Sequence, residues 1–307
     1  MSLSGDSRMR RRRPPPTTLR WVEGAIGPGS LIVSHRAFRT GGWHVNHALT
    51  VRDGQGQVVH LVLRRWARLG WEADDPDYTA EREVAVLGVL AHAEFPAPRL
   101  VADDPDAARC DVPTLLLSRL PGHPPGAVHD LDGFVVQLAG TLARLHEIDG
   151  GAGSLVPPYH TYFEPSRAVS PPWLRGSQIW KRTTAVVRRP PPPSEECFIH
   201  RDYHPENTLW SRGRLTGVVD WTQSSWGPPE LDVGHMRWNL AADHGLGVAD
   251  RFPDAYRATS GRALADQPYW DLVTLLDLVL VVDPADPFSA DDLAPLETYA
   301  AAILGRL

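Results

Sequence analysis

Apolar positions between residues 31 and 63 fall into three short runs, Leu31–Val33, His47–Val51 and Val58–Leu63. Thr40-Gly41-Gly42 and Asp53-Gly54-Gln55-Gly56 separate them. The Asp-Gly pair is a hairpin signal, so the second and third runs are predicted to be neighbouring antiparallel strands. From Ala80 to Ala91 the spacing changes: Val84, Leu87, Val89 and Leu90 recur on a roughly helical period, with acidic residues in the first turn, and Pro96 and Pro98 come after it. Thr114–Leu117 reads as another strand, and Leu120-Pro121-Gly122 punctuates the chain after it. This places a predicted boundary between residues 117 and 118. Beyond it, Phe134, Leu138, Leu142 and Leu145 predict an amphipathic helix over Leu131–Ile148. Trp270–Val282 reads as a buried helix and Ala290–Leu304 as a final one. Residues 150–196, rich in Gly, Pro and Trp, have room for one or two helices joined by loops.

The 307 residues suffice for two modest packed domains. Residues 1–16, with Arg10–Arg13 followed by Pro14–Pro16, lack the apolar content to bury surface and are expected to form a disordered tail. Residues 17–117 and 118–307 then make the two folded parts. No apolar run follows the arginines and no stretch reaches about 18 apolar residues, so neither a signal peptide nor a membrane span is expected. Cys110 and Cys197 stand alone, without a CxxC partner, which excludes a disulfide framework and suits a cytoplasmic location. A net charge of −6 argues against a nucleic-acid partner. Of the 31 basic residues only Lys181 is a lysine, so any phosphate-binding cation must be arginine.

Chemistry concentrates between Cys197 and Trp221. His200-Arg201-Asp202 is followed by Asn207, and Asp220 lies thirteen positions further on. Thr208–Trp210 and Leu215–Val219 are strand-like, with Arg212-Gly213 as the turn between them, so a hairpin would carry Asn207 and Asp220 to the same open end. An oxygen-only donor set with open positions suits Mg²⁺. Asp202 is then the candidate base for a substrate hydroxyl.

The pattern H-R-D-x-x-x-x-N followed by a strand-borne Asp resembles the catalytic and metal-binding pattern of protein kinases. The wording is more similar still to the aminoglycoside phosphotransferase and choline kinase-like family of small-molecule kinases, with Asp220-Trp221 as the Asp-Trp pair and Gly227-Pro-Pro-Glu-Leu-Asp232 as the downstream Gly-x-Pro-x-x-Asp. The resemblance implies a two-lobed α+β protein-kinase-like fold, with a small antiparallel-sheet N-lobe and a larger, mainly helical C-lobe. It implies transfer of the γ-phosphoryl group of ATP, or GTP, to a small-molecule hydroxyl. Asp202 would be catalytic, and Asn207 and Asp220 would hold Mg²⁺. Arg64 would clamp phosphate with Glu83 as its helix partner, Gly41 and Gly42 would lie in the phosphate loop, and Ser118 to Leu120 would lie beside adenine. Two departures stand out: Arg201 replaces the family's usual glycine, and Arg64 replaces the lysine of many members. A guanidinium binds phosphate bidentately, so the second is chemically sound. Adjacent Arg65 should point to the opposite sheet face, toward solvent.

Residues 263–305 carry eight acidic side chains and no Lys, Arg or His, compatible with an aminoglycoside-like cationic acceptor or with solvated helix faces. Two rivals share these residues: a nucleotide-binding regulatory protein, and a metal-dependent hydrolase built on His200, Asp202 and His204. The second matches no zinc-site spacing. Asp232 is expected to brace the loop from beneath.

Overall fold

The computed structural model describes residues 13–38, 44–67, 78–149, 156–174, 177–265, 267–280 and 288–307. The chain divides into two compact units, residues 1–122 with 216–223, and residues 123–215 with 224–307.

The first unit is a five-stranded antiparallel sheet in the order β1-β2-β3-β5-β4, from Leu31–Ala37, Val45–Arg52, Val58–Arg65, Leu100–Asp104 and Thr114–Ser118 (β1 to β5 in chain order). The predicted hairpin joins β2 to β3, and Asp53 tightens it by accepting from the Gln55 and Gln57 N–H groups. Helix α1 (Pro16–Ile26) was not expected; it begins on a proline, whose fixed φ suits a first helical turn. Its Trp21 and Val22 join Leu49, Val51, Leu61, Leu63 and Leu116 in one core. Helix α1 also reverses the expected solvent exposure of Arg65. Arg65 is fully buried and paired with Asp111 at 2.5 Å, and Asp111 in turn accepts from Thr18 Oγ1 of α1 at 2.8 Å. Helix α2 (Ala80–Leu90) is capped by Thr79 and buries Glu83 among Val86, Leu87 and Leu90. Strand β4 alternates poorly in sequence and was not foreseen. Residues 216–223 fasten to this unit: the Val218 N–H donates to the Pro96 carbonyl at 2.8 Å, and Trp221 packs edge-on against Phe95.

The second unit is mainly helical, with α3 (Leu131–His146), α4 (Gln178–Val187), α5 (Pro229–His244), α6 (Leu246–Ala249), α7 (Arg251–Ser260), α8 (Gln267–Leu280) and α9 (Ala290–Leu304). Helix α3 buries the predicted Phe134, Leu138, Leu142 and Leu145, and Asp130 caps it. Tyr269, Leu272, Leu276 and Val279 of α8 form a core with Leu296, Tyr299 and Ile303 of α9 and Trp180 of α4. Strand β6 (Cys197–Ile199) pairs with β9 (Ser225–Gly227). The ribbon of β7 (Thr208–Ser211) and β8 (Arg214–Val218) turns at Arg212 and Gly213, both at positive φ. No helix among the described residues is long and apolar enough to cross a membrane.

Candidate active site

Strand β6 delivers the chain into His200-Arg201-Asp202, and a single carboxylate shapes the turn at that point. Asp232, fully buried in the first turn of α5, accepts from the His200 N–H at 2.8 Å and from the Arg201 N–H at 2.6 Å. The helix N-terminus favours a negative charge there. His146 at the end of α3 donates from Nε2 to Asp232 at 3.0 Å, while its Nδ1 accepts from the Tyr256 hydroxyl at 2.7 Å. Both peptide N–H groups of the turn are thereby satisfied inside the protein. Asp232 braces the loop, as expected.

Arg201 sits at φ +68°, which gives a physical reason for the glycine usual at this place. A side chain in left-handed backbone costs about 1–2 kcal/mol. Its contacts offset that cost: the guanidinium donates to the His160 carbonyl at 2.7 Å and lies over the Tyr162 and Tyr159 rings at 4.2 and 5.0 Å. Asp277 of α8 belongs to the same neighbourhood. Burial pushes its carboxyl up to about 6, while Arg201 and the Tyr162 N–H pull it partly back. An unfolded chain ionises this group near pH 4, so between about pH 4 and pH 6 the unfolded state releases the proton first and stability falls as pH rises. Asp277→Asn is expected to remove that fall. Urea midpoints of variant and parent should coincide near pH 4 and separate in favour of the variant above about pH 6; parallel curves would exclude the effect.

Asp202 is held by Asn207, whose Nδ2 donates to Asp202 Oδ2 at 2.8 Å and to the Asp202 carbonyl at 2.9 Å. Both amide hydrogens are thus used, and the amide oxygen of Asn207 is the remaining acceptor. The 3₁₀ turn Pro205–Asn207 is what brings the amide back over the loop. On the other side, Asp202 Oδ1 lies 3.3 Å from His235 Nε2 and 3.7 Å from His204 Nε2. Burial, followed by the neighbouring charges of His204, His200 and Arg201, holds the His235 imidazole well below its ordinary pKa. His200 is fully buried, and its Nδ1 accepts from the Asp202 N–H at 3.3 Å. Among the described residues, the group that gathers its ligand atoms is therefore Asp202, His204 and His235, in place of the trio with His200. The sequence signal for His235 was its position three residues after Asp232 on one helix face.

In the first unit the guanidinium of Arg64 is the centre. Its Nε lies 2.7 Å from Glu83 Oε2, and one terminal nitrogen lies 2.5 Å from Asp220 Oδ1 and 2.9 Å from Thr222 Oγ1. The Thr222 hydroxyl in turn donates a hydrogen bond to Glu83 Oε2 at 3.1 Å, closing a ring of contacts. Burial works against the charge on Arg64, but Asp220 and Glu83 outweigh it and hold the pKa above the ordinary arginine value. Burial raises the Glu83 pKa, with Arg64 opposing it. Asp220 adopts φ +71°, a conformation acidic side chains tolerate better than most. Nothing in the sequence spacing singled out Thr222. Ser118 has its N–H and hydroxyl engaged with the Arg99 backbone, and Leu120 packs over Gly217, where a Cβ would fall 2.6 Å from its side chain. Gly41 and Gly42 lie outside the described residues.

Solved structures share this fold. An aminoglycoside phosphotransferase-like protein from Ralstonia eutropha JMP134 aligns over 94% of this chain and 98% of its own, at 17% identity and a TM-score of 0.65. A thermostable mutant of aminoglycoside phosphotransferase APH(4)-Ia, in ternary complex with ADP and hygromycin B, aligns over 89% and 94%, at 18% identity and a TM-score of 0.61. The amicoumacin kinase hAmiN, in complex with AMP-PNP and Ca²⁺, aligns over 95% and 94%, at 13% identity and a TM-score of 0.63. The α+β kinase-like fold expected from the loop motif is the fold observed. No curated protein matches the chain at the level of sequence. Residues 38–290 match the phosphotransferase enzyme family, a span that takes in strands β2 to β5 of the sheet, the Asp202 loop and the Asp232 brace, and the chain belongs to that family.

Proposed function

We propose that this protein transfers the γ-phosphoryl group of ATP, or GTP, to the hydroxyl of a small molecule. The observation that carries the reading is Arg64: a buried cation fixed by a helix carboxylate and paired with Asp220 has a ready use in binding polyphosphate. The α- and β-phosphates would be held by Arg64, itself positioned by Glu83, with the adenine against the backbone of residues 118–120 and the phosphate loop at Gly41 and Gly42. Asp202 would accept or orient the hydroxyl proton through Oδ1, since Asn207 already occupies Oδ2. Asn207 and Asp220 each carry a hard oxygen donor and would hold Mg²⁺, which would supply neutralisation of phosphate charge.

The acidic carboxy-terminal stretch supports an aminoglycoside-like acceptor less than its charge suggests. Asp271 pairs with the buried Arg237, Glu297 accepts from Ser177 and Trp180, and Asp292 engages Ser289 at the start of α9. These carboxylates serve the fold. The acceptor is best sought with a nucleotide-consumption screen across aminoglycosides, macrolides and uncharged alcohols, using mass spectrometry for the gain of one phosphoryl group. Failure of every class would overturn the reading as an active kinase.

Arg64→Ala is expected to weaken MgATP binding by about 10- to 100-fold, the worth of a charge-assisted hydrogen-bonded contact. Arg64→Lys, which keeps the charge for Glu83, should recover part of it. Calorimetric titration of both variants checks this, and parent-like affinity in the alanine variant would remove Arg64 from the phosphate site.

A further inference from the structure

We propose that Asp202, His204 and His235 form a binding site for one zinc-class divalent ion, with a donor set chemically distinct from the all-oxygen donors proposed for Mg²⁺. The distances carry the argument. Zinc bonds of about 2.0–2.1 Å in tetrahedral geometry place ligand atoms about 3.3–3.4 Å apart. His235 Nε2 and His204 Nε2 lie 3.3 and 3.7 Å from Asp202 Oδ1, and all three atoms fall within 4.8 Å of one another. Side-chain motion of no more than about 1.4 Å between any two of these atoms completes the site. Two imidazoles and a carboxylate are the donor chemistry of zinc and its late first-row neighbours, whereas Mg²⁺ prefers oxygen throughout.

The fold holds these donors in register. Asp232 and His235 share one face of α5, so the helix that fastens the Asp202 loop also presents the second imidazole to it. Asn207 fixes Asp202 from the opposite side through Oδ2, leaving Oδ1 turned to the histidines. None of the three side chains is closed off: they are 18–28% exposed, which leaves a fourth position for water.

The ion would occupy the oxygen that the hydroxyl proton needs. With Asn207 donating to Oδ2 and a divalent cation on Oδ1, the Asp202 carboxylate loses basicity and its open approach for an alcohol, so a zinc-loaded protein is expected to transfer phosphoryl poorly. This consequence rests on the proposed role of Asp202 as base; binding of the ion does not.

Calorimetric titration of the full-length protein with Zn²⁺, in excess Mg²⁺, is expected to show one ion per chain. Co²⁺ should give the visible absorption of a low-coordinate nitrogen-ligated site. Loss of an outer-shell partner alone costs 10- to 100-fold in metal affinity, so removing a ligand by His235→Ala or His204→Ala should weaken Zn²⁺ by about 100-fold or more. Asp220→Asn should leave Zn²⁺ affinity within about two-fold of the parent. Circular dichroism establishes that each variant is folded. Absence of stoichiometric binding, or unchanged affinity in both folded histidine variants, would overturn the site. Zinc bound through the histidines with phosphoryl transfer undiminished would leave the site standing and overturn Asp202 as base. Loss of transfer in Asp202→Ala together with no Zn²⁺ binding by the parent protein would do the reverse.

Discussion

Asp202→Ala is expected to lower phosphoryl transfer by about 10²- to 10⁴-fold, the usual contribution of a positioned general base, while MgATP affinity stays within a few-fold of the parent. The separation of the two effects comes from the geometry. Asp202 is tied to Asn207 and the two histidines, whereas the proposed phosphate cation, Arg64, is tied to Glu83, Thr222 and Asp220. Removing the Asp202 carboxylate therefore removes a proton acceptor and the anchor of the Asn207 amide, and leaves the ring of contacts around Arg64 intact. Single-turnover kinetics with saturating nucleotide, alongside calorimetric binding, checks both halves. Transfer within ten-fold of the parent would show that another group takes the proton, with His235 the first candidate by distance.

Asp232→Ala is expected to destabilise the protein by about 2–5 kcal/mol, the cost of leaving buried N–H donors without their acceptor at about 1–3 kcal/mol each. Alanine would leave the His200 and Arg201 N–H groups and His146 Nε2 without their acceptor in a place closed to water. The Arg201 turn would suffer most, because its φ of +68° is held against its own preference by the hydrogen bond it donates to Asp232. Asp232→Asn should fall between parent and alanine: one side of the group can still accept, while its NH₂ faces donors on the other. Chemical denaturation of the three proteins measures the series. A loss under about 1 kcal/mol in the alanine variant would mean that Asp232 is no brace.

Much of this arrangement could be read before any coordinates. The β2–β3 hairpin comes from Asp53-Gly54 between alternating runs, helix α3 from four leucine and phenylalanine positions, and the Asp202 loop from spacing characteristic of phosphotransferases. Arg64 and Glu83 were legible through the family resemblance, the scarcity of lysine adding only that the cation be arginine, and the folded chain does pair them. Other elements were not legible, for identifiable reasons. Helix α1 hides behind a proline run that reads as a tail, and its presence converts Arg65 from a solvent-facing cation into a buried partner of Asp111. Helix α5 contains Gly234 and starts at a pair of prolines, so its periodicity is weak, and its importance lies in one buried carboxylate and one imidazole.

By itself the sequence determined the local elements with strong periodicity and the family, because hydrophobic spacing and a short catalytic motif are properties of contiguous residues. Tertiary structure alone decided which distant residues meet. It set Asp220 and Thr222 on Arg64 across more than 150 positions, brought His235 to the Asp202 carboxylate, and gave Asp271 and Glu297 internal partners. The physical reason is that a side chain's environment is set by what covers it. Burial turns a surface charge into an obligatory ion pair, and the covering element comes from a part of the chain that local pattern does not reach.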